Sequence, residues 1–140
     1  MLWHTSCLIR LSVTSRGRAV PLGWRVRKHG SATVSLEMYQ EWLEEAKTRL
    51  PCAREVVLLA DRGFAETQLM SQLRQLGWHF RIRITSNFWM HPSHVAAFQV
   101  GEIALKPGHM RCWQGGWMTD KRCGPVHLAV ARPFGSDAYG

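Results

Sequence analysis

Long apolar runs are missing from this sequence: no stretch approaches the ~20 consecutive apolar residues of a membrane span. The amino-terminal string MLWHTSCLIRLSV is mildly apolar. It lacks both a clean apolar block and a small-residue cleavage site, which argues against a signal peptide. Cysteine is scarce, with four residues (Cys7, Cys52, Cys112, Cys123) too dispersed for the disulfide framework of a small secreted domain. Reduced thiols of a cytosolic protein are the default expectation. Repeats and low-complexity tracts are absent, and the basic residues form no disordered Lys/Arg tail. Acidic side chains are few, ten against eighteen Lys and Arg, leaving a formal charge of +8. Such an excess draws an acidic partner, of which nucleic acid is the commonest. The plainer alternative is a soluble protein that happens to be basic.

What the sequence does have is core. An apolar fraction of 46% with seven tryptophans in 140 residues suits one packed domain. Residues 7–13 and 19–26 are β-prone and flank Arg16-Gly17-Arg18, which predicts an antiparallel hairpin with Gly17 at positive φ. Pro21 interrupts the second strand and predicts an edge position or a bulge. Leu36, Tyr39, Leu43, Ala46 and Leu50 recur at helical spacing and predict a helix over 35–50. Ser35 would cap it, Glu37 would favour its positive end, and Pro51 would stop it.

The run Val56-Val57-Leu58-Leu59-Ala60 has no polar alternation, which predicts a strand buried on both faces of a partly parallel sheet. Residues 67–76 read as a second helix closed by Gly77. Trp78 to Ile84 then alternates, with Arg81 and Arg83 outward. Beyond Pro92 the chain is expected to turn β-rich. Short strands over 100–105, 110–113 and 126–131 would make an antiparallel appendage without a long helix. Strand, strand, helix, strand, helix, strand is an α/β order. The expected division is an α/β core over 1–92 and a β-rich insertion over 93–140.

Asp61 is the leading chemical candidate. It ends an apolar strand, where α/β sheets place ligands, and Arg62-Gly63-Phe64 turns sharply after it. An Asp-Arg-Gly triplet alone is often an ordinary turn. A structural cap is a further reading, although the next helix is expected to begin too far downstream for Asp61 to reach it.

The wider string is more specific. Leu58-Leu59-Ala60-Asp61-Arg62-Gly63-Phe64-Ala65-Glu66-Thr67-Gln68-Leu69-Met70, with Leu73, Leu76-Gly77-Trp78 and Arg81-Ile82-Arg83, resembles the second-aspartate region of DDE transposases of bacterial insertion sequences. The resemblance extends to Arg16-Gly17-Arg18-Ala19-Val20-Pro21-Leu22 and to Gly124-Pro125-Val126-His127-Leu128-Ala129, nearly the whole chain. It implies an RNase H-like (ribonuclease H-fold) domain, here partial, followed by a β insertion. It implies three carboxylates holding two Mg²⁺ (or Mn²⁺), with Asp61 as the second. It also implies DNA as partner, a homodimeric synaptic complex in the intact parent, and a cytoplasmic, nucleoid-associated protein with no membrane. The first aspartate is expected just before the segment beginning Met1-Leu2-Trp3, and the final glutamate past Gly140. Neither would be in this chain, so a truncated or decayed reading frame is expected, with no catalysis by the chain alone.

Among the basic residues, Arg62, Arg81 and Arg83 are candidates for the DNA backbone; a solvated face is the plain alternative. Trp89 and Trp113 could stack on bases, or pack in the core. His109-x-x-Cys112 with Cys123-x-x-x-His127 has the ligand types of a zinc knuckle, against the bland reading of core thiols and surface histidines. His91 and His94 read as a chance loop pair, Cys7 and Cys52 as buried small apolar residues. Two other readings of the whole chain remain open: a non-catalytic basic DNA-binding module, and an RNase H-like nuclease.

Overall fold

The computed structural model describes residues 2–3, 6–28, 37, 39–50, 55–119 and 123–135. The chain divides into two compact units, Met1–Ile82 and Arg83–Gly140. The first is a mixed α/β unit and the second is all β.

In the first unit, β1 (Leu2–Trp3), β2 (Ser6–Ser15) and β3 (Arg18–Lys28) form an antiparallel sheet in that spatial order. The β2–β3 hairpin is the expected one. Its two-residue loop places Arg16 at φ 48° and Gly17 at φ 75°, the left-handed pair that matches strand twist in tight hairpins. The register jumps from Leu11↔Gly23 to Ser12↔Pro21, so Leu22 is the extra residue of a bulge beside Pro21. Proline has no N–H for the ladder, and the bulge absorbs the loss.

Helix α1 spans Gln40–Arg49 and ends at an extended Leu50. It is shorter than expected. Ser35, Pro51 and Cys52 lie outside the described residues, and Tyr39 occupies the N-cap without a side-chain cap. Glu41, not Glu37, therefore sits in the first turn beside the positive helix end. Its buried face is Trp42, Leu43 and Ala46.

Strand β4 (Val57–Ala60) pairs in parallel with β5 (His79–Ile82), and α2 (Thr67–Gln75) connects them. Gly77 at φ 74° closes α2, and Trp78 N–H donates to the Leu73 carbonyl at 2.8 Å, a Schellman-type end. β5 alternates as expected: His79 and Arg81 are exposed, Phe80 and Ile82 half-buried. β4 departs from expectation. Val57 (41% exposed) and Leu59 (64%) face outward, so this strand is covered on one face only. An apolar run records that a strand can be buried twice; the count of covering elements decides whether it is, and among the described residues β4 and β5 form a two-stranded sheet. The core of this unit joins Cys7 and Ile9 of β2, Tyr39, Trp42, Leu43 and Ala46 around α1, and Leu69, Leu73 and Trp78 around α2.

In the second unit, β6 (Trp89–His91), β7 (Phe98–Gln99), β8 (Met110–Met118) and β9 (Cys123–Ala131) form an antiparallel sheet in the order β7-β6-β8-β9. The expected antiparallel β region without a long helix is present, with corrected strands. Residues 100–105 make no strand: Val100–Glu102 is a 3-10 turn, and Glu102 accepts from the Gln99 N–H. β8 and β9 are longer than expected. The change of texture after Pro92 falls inside this unit, because β6 already pairs with β8. Met90, Met118, Cys123, Val126 and Leu128 are its buried residues.

Candidate functional site

The ladder of β4 stops at Ala60, and Asp61 follows in extended conformation (φ −84°, ψ 173°). The chain then closes into a 3-10 turn, Arg62–Phe64, with Phe64 N–H donating to the Asp61 carbonyl at 2.9 Å. The Asp61 carboxylate accepts from the Arg62 N–H at 2.7 Å. Asp61 thus caps a turn, as N-cap carboxylates do. The capped element is this 3-10 turn, whereas α2 begins later, at Thr67 with Glu66 at its N-cap.

The carboxylate is exposed and lines a groove of about 170 Å³. Its lining includes Ile9, Arg10 and Leu11 of β2 together with Leu58, Leu59, Ala60 and Asp61. The groove therefore lies at the carboxyl end of β4, where strand-to-helix turns present side chains and backbone N–H groups to ligands.

Tyr39 also lines the groove. Only 4% exposed, its hydroxyl has no hydrogen-bond partner among the described residues. Its ring meets Phe64 edge-on, centroids 5.5 Å apart. Burial holds its phenol far above the ordinary range, and the negative charge of Glu66 adds to the shift. Sequence reading placed Tyr39 merely on a helix face. Its i+3 and i+4 neighbours, Trp42 and Leu43, signal burial, but no pattern reports an unpartnered hydroxyl.

Arg62, Arg81 and Arg83 are all exposed. Arg62 belongs to the Asp61 turn, and Arg81 stands opposite Leu59 in the β4–β5 register. Arg83 opens the second unit. Trp113 is half-buried against Phe98, centroids 5.0 Å apart, while Trp89 is 41% exposed.

The zinc-knuckle residues do not converge. Cys112 is opposite Ala129 and Cys123 opposite Met118, so the thiols sit towards opposite ends of the β8–β9 ribbon. The His127 ring nitrogen accepts from the Gly115 N–H at 3.3 Å. Among the described residues no three His, Cys, Asp or Glu side chains gather to hold a metal. Cys7 and Cys123 are buried thiols of the two cores.

A family model described as "Transposase DDE domain" matches residues 29–121. The chain belongs to this family. The match takes in the Asp61 turn and both strands of the β4–β5 pair, and runs on through the whole of β8. Searches among curated proteins and among solved structures return no match. DDE domains act on DNA and use divalent metal, so DNA is the partner class that family membership implies. No helix among the described residues is long and apolar enough to cross a membrane.

The described residues do not by themselves fit a two-cation site. Hard divalent ions want several oxygen ligands, and the groove offers one carboxylate at its mouth.

Proposed function

We propose that this chain carries the middle of an RNase H-like catalytic core from an insertion-sequence transposase, with Asp61 as the second catalytic and metal-binding carboxylate. The observation that carries the reading is the position of Asp61: the first residue after a parallel strand, exposed beside a groove, within the stretch matched by the DDE family. The core would span 1–92 and the β insertion 93–140. In the intact parent, Mg²⁺ or Mn²⁺ would assist hydrolysis of the phosphodiester and transfer of the freed 3′ hydroxyl to target DNA. Asp61 would give that site one ligand. Arg62, Arg81 and Arg83 would hold the DNA backbone by phosphate contacts, a salt-dependent and sequence-independent contribution. The parent would act as a homodimer joining two transposon ends in the bacterial nucleoid.

By ligand count, the chain alone does not cut DNA. The one carboxylate among the described groove residues cannot fix both nucleophile and leaving group. The test is supercoiled plasmid incubated with the purified chain or its Asp61→Ala variant, in Mg²⁺ or Mn²⁺. The expected result is no nicking above background by either. Metal-dependent nicking lost in the variant would overturn the inactivity and reveal a further carboxylate. Restoring activity with a longer chain, and losing it again with Asp61→Ala, is the positive test of the Asp61 assignment.

A further inference from the structure

We propose that the β2–β3 hairpin is a DNA-contact arm, whose Arg16-Gly17-Arg18 tip enters the minor groove of duplex DNA at A·T-rich steps. The proposal deepens the transposase reading and rests on DNA as the partner; it does not depend on the role of Asp61.

The charge of the chain is concentrated here. Residues 1–36 hold six Arg and Lys and no Asp or Glu, whereas residues 37–140 hold twelve against ten. All six lie within β2, β3 and their turn, so no carboxylate of the same segment offsets them. A surface of this kind attracts phosphate-rich duplexes.

The fold carries that charge outward. Cys7 and Ile9 of β2 are buried in the core, whereas Thr14 and Arg16 through Pro21 are all exposed. Beyond the bulge the ladder continues through Ser12↔Pro21, Val13↔Val20, Thr14↔Ala19 and Ser15↔Arg18. At roughly 3.3 Å per residue these pairs make an arm of about 13 Å, longer than the minor groove is deep (about 7.5 Å). A Cβ built on Gly17 would meet nothing within 4 Å, so the tip stands in open space.

The tip residues fit that groove. Arg16 sits at φ 48°, a left-handed position that Asn, Asp or Gly fills in tight hairpins with less strain. Folding alone disfavours an arginine there, and a ligand for its guanidinium offsets that cost. Gly17 puts no side chain between the two guanidiniums, which lets the backbone come close. Narrow A·T-rich minor grooves carry an enhanced negative potential that draws in arginine, whose guanidinium is weakly hydrated. Behind the tip stand Val13, Thr14, Ala19, Val20 and Pro21, none of which has the bidentate donors that read the major groove.

The experiment measures binding of the full chain to short fluorescein-labelled duplexes by anisotropy. One duplex has a central A-tract, the other a central G·C run with identical flanks. The expected result is several-fold tighter binding of the A-tract duplex, displaced by the minor-groove ligand distamycin and not by the major-groove ligand methyl green. Arg16→Gly combined with Arg18→Ala should lower A-tract affinity by roughly tenfold or more, abolish the preference, and flatten the slope of log affinity against log salt by about 2. Glycine suits the left-handed position, so the hairpin survives the substitution, and unchanged amide protection at Cys7–Ile9 checks this. Equal binding by the double variant would overturn the arm while leaving the DNA reading intact. An equal loss on both duplexes, insensitive to distamycin, would overturn the minor-groove site in favour of phosphate contacts alone. Equal affinity for an RNA duplex, whose minor groove is wide and shallow, would overturn it as well. Failure of the unsubstituted chain to bind any duplex would remove DNA as the partner, and the arm with it.

Discussion

The two units handle apolar strands in opposite ways. In the second, β8 has a partner on each side, Met90 and Met118 are buried face to face in the β6–β8 register, and Val126 and Leu128 are covered. In the first, the strand richest in aliphatic side chains leaves Val57 and Leu59 in contact with water. The hairpin likewise exposes Trp24 (67%) and Val26 (62%). Sequence hydrophobicity alone would rank β4 as the better buried. The contrast teaches that coverage depends on how many elements surround a strand, and the first unit has two small sheets where the second has one continuous sheet.

That contrast can be broken most sharply in the helix core. Leu73→Ala removes a side chain with 0% exposure and is expected to cost about 2–5 kcal/mol, whereas Leu59→Ala on the open face should cost well under ~1 kcal/mol. Urea unfolding of both variants checks this; equal costs would mean that Leu59 is covered in solution.

In the second unit the tight spot is Gly124. A Cβ there would stand 2.8 Å from the Gly116 carbonyl oxygen and 2.8 Å from the Trp117 ring. Gly124→Ala should therefore destabilise this unit by about 1–3 kcal/mol, through displaced backbone rather than a lost contact. Tryptophan fluorescence together with amide exchange along β8 and β9 should show opening there while α2 stays protected.

Tyr39 gives a smaller, pH-dependent effect. Its phenol is raised in the folded state, while the unfolded phenol titrates near its ordinary value of about 10. The folded state then holds the proton more tightly, so stability is full below pH ~10 and falls as pH rises above it. The Tyr39→Phe variant should lose this alkaline dependence. At neutral pH it should be as stable as the parent or more so, because a buried hydroxyl without a partner is removed. Chemical denaturation at pH 7 and pH 11 measures both.

The smallest expected effect is on DNA. Arg81→Ala should leave folding within about 0.5 kcal/mol, since Arg81 is exposed. It should flatten the slope of log affinity against log salt by about 1 if Arg81 contacts phosphate. An unchanged slope in a filter-binding series would remove Arg81 from the interface.

Much of this was legible in the residues. The Arg16-Gly17 turn, the Pro21 bulge, the Gly77 helix end and the alternation of β5 all follow from local rules, because φ preference and the missing proline N–H act on neighbours in the chain. The start of α1 and the residues 100–105 were harder. Helical periodicity does not mark its own beginning, and a short apolar stretch serves a 3-10 turn as readily as a strand. The Asp61 turn was legible as a motif, and its position after a strand as a pattern. Its 3-10 turn was not, since the cap target weighed was α2, which lies too far downstream for Asp61 to reach.

By itself the sequence determined the α/β order, the basic charge, the family-bearing string around Asp61 and the strand-ending position of that carboxylate, all consequences of local pattern and composition. Tertiary structure alone decided that β2 and β4 belong to separate sheets yet line one groove, that the Tyr39 hydroxyl is buried there without a partner among the described residues, and that no three of the zinc-type side chains gather. The reason is that these facts depend on long-range packing, which brings residues 9 and 59 to line one groove, and no spacing along the chain encodes it.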